Sequence, residues 1–305
     1  MKHFIITVDT EGDNLWAWKP GDIISTNNSR FIDRFQSLCE SFGFIPVYLC
    51  SYEMIMDDYF CSYISQKANN QLCEIGMHLH AWNSPPLFEI RNIYGGQPYI
   101  TEFTREQMFE KHIWLKEFIT RRTGVIPVSY RSGRWATNSV LFSVLDEIGI
   151  KVDCSITPGI TMEKCPGMTV SSGNSYVGFP SMPYKLTEKL IEVPMTTKLI
   201  HRFSGTSLKN KIGNMIKGKQ FWLRPAVHEF EDMTFLISQI ETDQTPYLEF
   251  MIHSSELMPG GSPYGKDQDS VERIYDRITQ LFKYVSKNCV GISLQDYYNE
   301  IIETL

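Results

Sequence analysis

The 305-residue chain has no run of 18 apolar residues, no C-x-x-C pair, no internal repeat and no low-complexity tract. The first absence excludes a transmembrane helix, which needs about 20 consecutive apolar residues. The second removes the usual signature of a thiolate zinc site, and an odd total of seven cysteines argues for reduced thiols over a disulfide framework. No linker separates two regimes of composition, so one domain over 1–305 is expected. Positive charge is short: 29 Lys and Arg against 35 Asp and Glu leave a net −6, which excludes a global field for nucleic acid. The amino terminus meets charge at Asp9, too early for the apolar region of a signal peptide, and a cytoplasmic protein is the expectation. At this length a chain buries about three quarters of its unfolded surface without staples, so any metal would serve chemistry.

Short β-rich apolar runs at 3–9, 44–50, 73–78, 128–131, 151–154, 190–194, 247–253 and 290–294 alternate with helical patterns. Ser29 opens an amphipathic stretch through Phe31, Phe35, Leu38 and Phe42 that stops at Gly43. Thr104 and Gln107 form a capping-box pattern ahead of Met108, Ile113, Leu115 and Ile119. Segments 137–148, 229–242, 268–287 and 294–304 read as helices in the same way. This alternation predicts an α/β fold, a distorted (β/α) barrel of about seven parallel strands, with an open doubly wound sheet as the runner-up. Two long loops, 81–103 and 155–185, are rich in aromatics, Gly and Pro, the composition of lids or binding walls.

Polar residues close the strand runs: Asp9, His78, Arg131, Asp153 and His253. A parallel barrel gathers the carboxyl ends of its strands on one face, where an active site is built. Asp9, Glu11 and Asp13 crowd three carboxylates that repel one another unless a cation or an arginine sits among them; a solvated acidic turn is the alternative. His78 and His80 stand at i and i+2, so in extended chain both imidazoles point to one side and can meet one metal. Two imidazoles with one or two carboxylates and an open position suit a catalytic Zn²⁺ or a related divalent ion. Arg131 and Arg134 can orient a carboxylate or bind an anion bidentately, or make ordinary salt bridges. His253 is either a core histidine or a general acid at the common rim.

In these residues the chain resembles the polysaccharide deacetylases of the NodB-homology, carbohydrate esterase type, divalent-metal enzymes on a distorted (β/α) barrel. Thr7-Val8-Asp9-Thr10 matches the family's Thr-Phe-Asp-Asp at its first and third positions. Glu74 to His78 matches Glu-Ile-Gly-x-His, Arg131 resembles the arginine motif, and His253 resembles the late strand-end histidine, all in the family's order. Two positions depart: Thr10 replaces the second aspartate, and Trp82 stands where the second histidine falls, with His80 two residues earlier. Divergent members carry Asp-x-Glu or Asp-x-Asp instead. The resemblance implies that Asp9 is a general base or a metal ligand, that Glu11, His78 and His80 complete the metal site, that Arg131 orients Asp9, and that His253 protonates the leaving amine. Zn²⁺ is the first expectation for the ion, with Co²⁺ or Ni²⁺ as alternatives. The implied activity is metal-dependent removal of an N-acetyl group from an amino sugar. A deformylase, another C–N hydrolase on the same barrel, and a non-catalytic glycan or lipid-carrier binding protein are the competing readings.

Trp82, Arg134 and Trp135 are the candidate substrate-binding residues, since aromatic faces stack on sugar rings. Between Lys185 and Arg224 nine Lys or Arg face two Glu, so this segment is +7 and the remainder −13. Leu208, Ile212, Met215 and Ile216 sit among these lysines at helical spacing, as in a basic amphipathic helix. Contact with a nucleotide or polyprenyl diphosphate, or peripheral contact with a membrane carrying it, is one reading; a solvated lysine face is the other. A cytoplasmic enzyme of this type is expected to act on a nucleotide- or lipid-linked precursor in surface-glycan biosynthesis. No oligomeric state is legible.

Overall fold

The computed structural model describes residues 2–19, 21–201, 207–241 and 245–305. Residues 202–206, which include Arg202 of the basic segment, lie outside the described residues, as does position 242 of the expected helix 229–242.

Strand β1 (Lys2–Thr10) shows how the sequence builds the architecture. Its Phe4, Ile6 and Val8 join the outer core beneath the helices, whereas Ile5 joins an inner cluster with Val47, Leu49, Val152 and Ile191. A period of two sends neighbouring side chains to opposite faces, so Thr7 and Asp9 share the inner face with Ile5. Burial on both faces makes such a strand a nearly continuous apolar run, interrupted only where it enters the polar end of the barrel.

The remaining strands are β2 (Pro46–Cys50), β3 (Glu74–Leu79), β4 (Ser129–Ser132), β5 (Val152–Asp153), β6 (Tyr184–Lys185), β7 (Ile191–Glu192), β8 (Thr197–Ile200), β9 (Lys219–Trp222), β10 (Tyr247–His253) and β11 (Cys289–Gly291). The sheet runs β10-β1-β2-β3-β4-β5-β7-β6, parallel from β10 through β7, and β11 pairs in parallel with the start of β1. The expected barrel of about seven parallel strands is therefore present, curled into an open half-barrel. Its distortion lies between β7 and β10. There the unexpected antiparallel pair β8–β9 intervenes: Leu223 N–H donates to Thr196 O at 3.2 Å, and Met251 N–H to Leu223 O at 3.1 Å.

Helices Ile32–Ser41, Asp58–Asn69, Arg105–Thr123, Ser139–Glu147, Phe230–Glu241 and Gln268–Val285 cover the outer face with their apolar stripes. Arg105–Thr123 begins with the Thr104/Gln107 capping box and ends at Gly124, whose φ of 76° suits the left-handed cap. Helix Leu294–Ile301 carries Leu294, Tyr297 and Tyr298 into the inner cluster, where Tyr297 meets His3 and Tyr247 and plugs the amino-terminal end. Among the described residues no helix is long and apolar enough to cross a membrane. All seven cysteines are free thiols.

Candidate active site

The carboxyl ends of β1, β3, β4 and β10 open onto a cleft of about 300 Å³. Asp9, Glu11, His78, His80 and His253 line it, with Trp82, Arg134 and Trp135. Arg131, the remaining expected residue, is fully buried beneath them.

Glu11 follows Asp9 by two positions and returns to the same side of the chain, while Thr10 between them turns its hydroxyl back to Val8 O at 2.9 Å. Likewise His78 and His80 share the inner face of β3 and its continuation, where Ile75, Met77 and Leu79 enter the outer core. One ligand atom each from Glu11, His78 and His80 lies within 4.8 Å of the others. Glu11 Oε2 is 3.4 Å from His78 Nε2 and 3.2 Å from His80 Nε2.

These residues fit a cation. His78 Nδ1 sits 2.9 Å from Arg131 O, a carbonyl that can only accept, so Nδ1 carries the proton. A neutral His78 then turns its Nε2 lone pair toward the Glu11 carboxylate, and two acceptors face each other unless a proton or a metal lies between. Burial opposes charging His78, but Asp9 and Glu11 outweigh it and raise its pKa. Glu11 is held well below the usual carboxylate range: burial works against this, and His253, His78 and His80 overcome it. Close packing fixes the second imidazole, since a Cβ at Gly133 would stand 2.3 Å from His80 Cδ2.

Asp9 stands outside that group of three. Its Oδ1 accepts from Arg131 at 2.6 Å, and the same guanidinium reaches Thr7 Oγ1 at 2.9 Å, Glu249 Oε1 at 2.5 Å and Cys154 O at 2.9 Å. Burial raises the Asp9 pKa, yet Arg131, then His78 and His253, bring it below its ordinary value. Glu249 gains less from the shared arginine, and burial pushes it up to about 7.

His253, register partner of Asp9 on the neighbouring strand, places Nε2 3.8 Å from Asp9 Oδ2 and 3.8 Å from Glu11 Oε1. Its Nδ1 faces Arg224 at 3.1 Å and Glu256 at 3.4 Å. Arg224 also contacts Glu256, whose pKa falls to about 2: burial resists, and Arg224 and then His253 prevail.

Indoles wall the cleft. Trp82 stacks on His80 with centroids 4.2 Å apart, and Trp16 meets His253 edge-on at 4.9 Å. Arg134 and Trp135 both sit at φ 58°, a left-handed conformation costing on the order of 1–3 kcal/mol each in non-glycine residues. Arg134 compensates with bonds to Gln97 O, Tyr99 OH and Pro166 O, which tie loop 81–103 to loop 155–185.

Asp153 departs from the expected rim. Val152 and Cys154 take the inner face, so Asp153 turns outward beside Glu192, its register partner. Burial first, then the charge of Asp153, drives Glu192 well above the usual range. Five residues of the site escaped the sequence reading as functional: Trp16, Trp18, Arg224, Glu249 and Glu256. Trp-x-Trp directly after the acidic cluster was an available signal for two of them.

No protein-family model matches the chain, and no curated protein matches it in sequence. Among solved structures, a protein from Mycobacterium smegmatis described as a polysaccharide deacetylase aligns with a TM-score of 0.55 at 14% identity, covering 99% of this chain and 91% of that one. The 4-α-glucanotransferase from Thermococcus litoralis aligns at 0.52 with 11% identity, covering 98% of this chain and 38% of that one. The fold is thus the one the resemblance implied. A frame shared by a deacetylase and a glucanotransferase does not select a reaction, so the chemistry has to be argued from the cleft.

Proposed function

We propose that the chain is a divalent-metal-dependent hydrolase that removes the acetyl group from the nitrogen of an amino sugar. One observation carries this reading: Asp9, held by Arg131, and the Glu11, His78 and His80 group meet His253 across a single cleft. Two imidazoles and a carboxylate with an open position are a donor set of catalytic zinc, so Glu11, His78 and His80 would hold the ion, Zn²⁺ ahead of Co²⁺ and Ni²⁺. When bound, the ion supplies Lewis acidity for the acyl carbonyl and for the attacking water.

The chain's own groups handle the protons. Arg131 keeps Asp9 ionised and occupies Oδ1, leaving Oδ2 to take the proton of the attacking water. As the C–N bond breaks, His253 delivers a proton from Nε2 to the leaving amine; Arg224 and Glu256 grip its Nδ1 and aim Nε2 into the cleft. Trp16, Trp82 and Trp135 offer faces for the sugar. A nucleotide- or lipid-linked precursor in a cytoplasmic setting is the substrate we favour. It is supported by the basic segment, which reaches the cleft through Trp222 against Trp135, and by seven free thiols.

Elemental analysis after reconstitution with Zn²⁺, Co²⁺ or Ni²⁺ tests the site. Close to one ion per chain is expected, retained in His253→Ala and lost in His78→Ala, with acetate released from N-acetyl sugars by the wild type alone. No ion under any condition, or equal metal in wild type and His78→Ala, would overturn the assignment. Formate in place of acetate would change the acyl group.

A further inference from the structure

Helix Leu208–Lys217 is built the wrong way round for a water-facing element. Leu208, Ile212, Met215 and Ile216 fall on one stripe at 3.6-residue spacing, and they are 68%, 46%, 58% and 70% exposed. Among the helix positions whose burial is described, those only half covered are Gly213 and Asn214, on the polar side. Leu199 on the neighbouring β8, 48% exposed, touches the Gly218 end of the helix and extends the apolar surface. An apolar stripe presented to water calls for a covering partner.

Charge identifies that partner. The helix contains Lys209, Lys211 and Lys217 and no acidic residue, and the sequence holds no carboxylate between Glu192 and Glu229, in a chain that is net −6. Lys209 and Lys217 are exposed. An apolar stripe with cationic flanks is the pattern of a helix lying in the plane of a membrane interface, its apolar side chains at the acyl boundary and its ammonium groups among anionic headgroups. A second copy of this chain would bring lysines against lysines. We infer that helix Leu208–Lys217 is a peripheral docking element for anionic lipid surfaces.

The inference rests on this helix and not on the catalytic reading, although β9 connects the two places. From Lys217 to Trp222, which meets Trp135 of the cleft edge-on, is about 17 Å of extended chain. A docked chain would hold its cleft within reach of a headgroup.

Sedimentation of the full chain with phosphatidylcholine vesicles, with and without phosphatidylglycerol, tests it. Binding is expected with the anionic vesicles only and should weaken as salt rises. Ile212→Asp/Ile216→Asp should reduce binding about tenfold or more, from the lost apolar burial, and Lys209→Glu/Lys217→Glu should reduce it on anionic vesicles. Equal sedimentation with both vesicle types, or full binding by the Asp variant, overturns the inference. So does a wild-type dimer in analytical ultracentrifugation that the Asp variant converts to monomer without any vesicle binding, which would assign the stripe to a second copy. Metal content and acetate release on soluble substrates are read separately and should be unchanged in both variants.

Discussion

Glu249 gives the sharpest test of the buried charge network. Its carboxyl is held at about 7 in the folded chain against an ordinary 4.5. A difference of this size corresponds to about 3 kcal/mol. Between these values the folded chain binds a proton that the unfolded chain has released, so stability falls as pH rises. The contribution is complete below 4.5 and gone above about 7. Glu249→Gln removes the titration but keeps an oxygen to accept from Arg131 and Thr7, as Glu249 Oε1 does. Urea unfolding of both proteins in chelator, at steps from about pH 5 to 8, should show the variant gaining roughly 2–3 kcal/mol on the wild type across the series. The Asp153–Glu192 pair is present in both proteins; the charge of Glu249 helps to raise Glu192, so the substitution relaxes that pair in the same direction. Parallel pH profiles would refute the claim that burial outweighs the arginine at this position.

His112 should behave in the opposite sense: buried, with Nδ1 on Met108 O and Nε2 against Tyr130 OH, it is held neutral and its pKa falls to about 4. Its stabilisation is present above about 6.5 and disappears as pH falls through 4, so His112→Gln should lose about 3 kcal/mol less than wild type over that range in acid-unfolding curves. Arg131→Met strands Asp9 and Glu249 in the interior and should cost about 3–5 kcal/mol at pH 8, roughly 5–8 °C in Tm, and less at pH 5 where Glu249 takes up a proton; a Tm unchanged by calorimetry would contradict the network. Gly133→Ala drives a methyl into His80 and should weaken metal affinity by about tenfold or more with far-UV circular dichroism preserved; an unchanged titration would show that the imidazole is not packed as described.

Much of this molecule is legible before it folds, because two periodicities carry it. All eight apolar runs overlap a strand of the sheet, and the longer ones stand out because burial on both faces leaves a strand no polar alternation to blur it. Asp9, Glu11, His78 and His80 are readable together because i and i+2 share a face, a local rule that needs no tertiary knowledge. Arg224 is different: it belongs to a lysine-rich stretch that reads as solvated surface, and only the insertion of β8–β9 into the barrel's gap brings it to His253. Strands of four residues with partly exposed sides give little signal. Asp153 shows the converse failure, for a strand-end position alone does not tell which face a side chain takes when neighbouring residues hold the inner one. Helix Asp58–Asn69 leaves little trace in the sequence because its stripe, Phe60, Cys61 and Ile64, is short and mixed with polar residues.

Strands β1 and β10 lie side by side in register, with Asp9 opposite His253, although they come from opposite ends of the chain. Their pairing closes a loop of nearly the whole sequence, the kind of contact that forms slowly because its entropy must be lost before the sheet repays it. The consequence is one of timing: β1 is translated long before β10 and waits with an open edge for that partner. Until β10 arrives, the nascent chain holds a carboxylate without its imidazole, and a protein truncated before residue 247 would keep Glu11, His78 and His80 yet have no His253 to set against them.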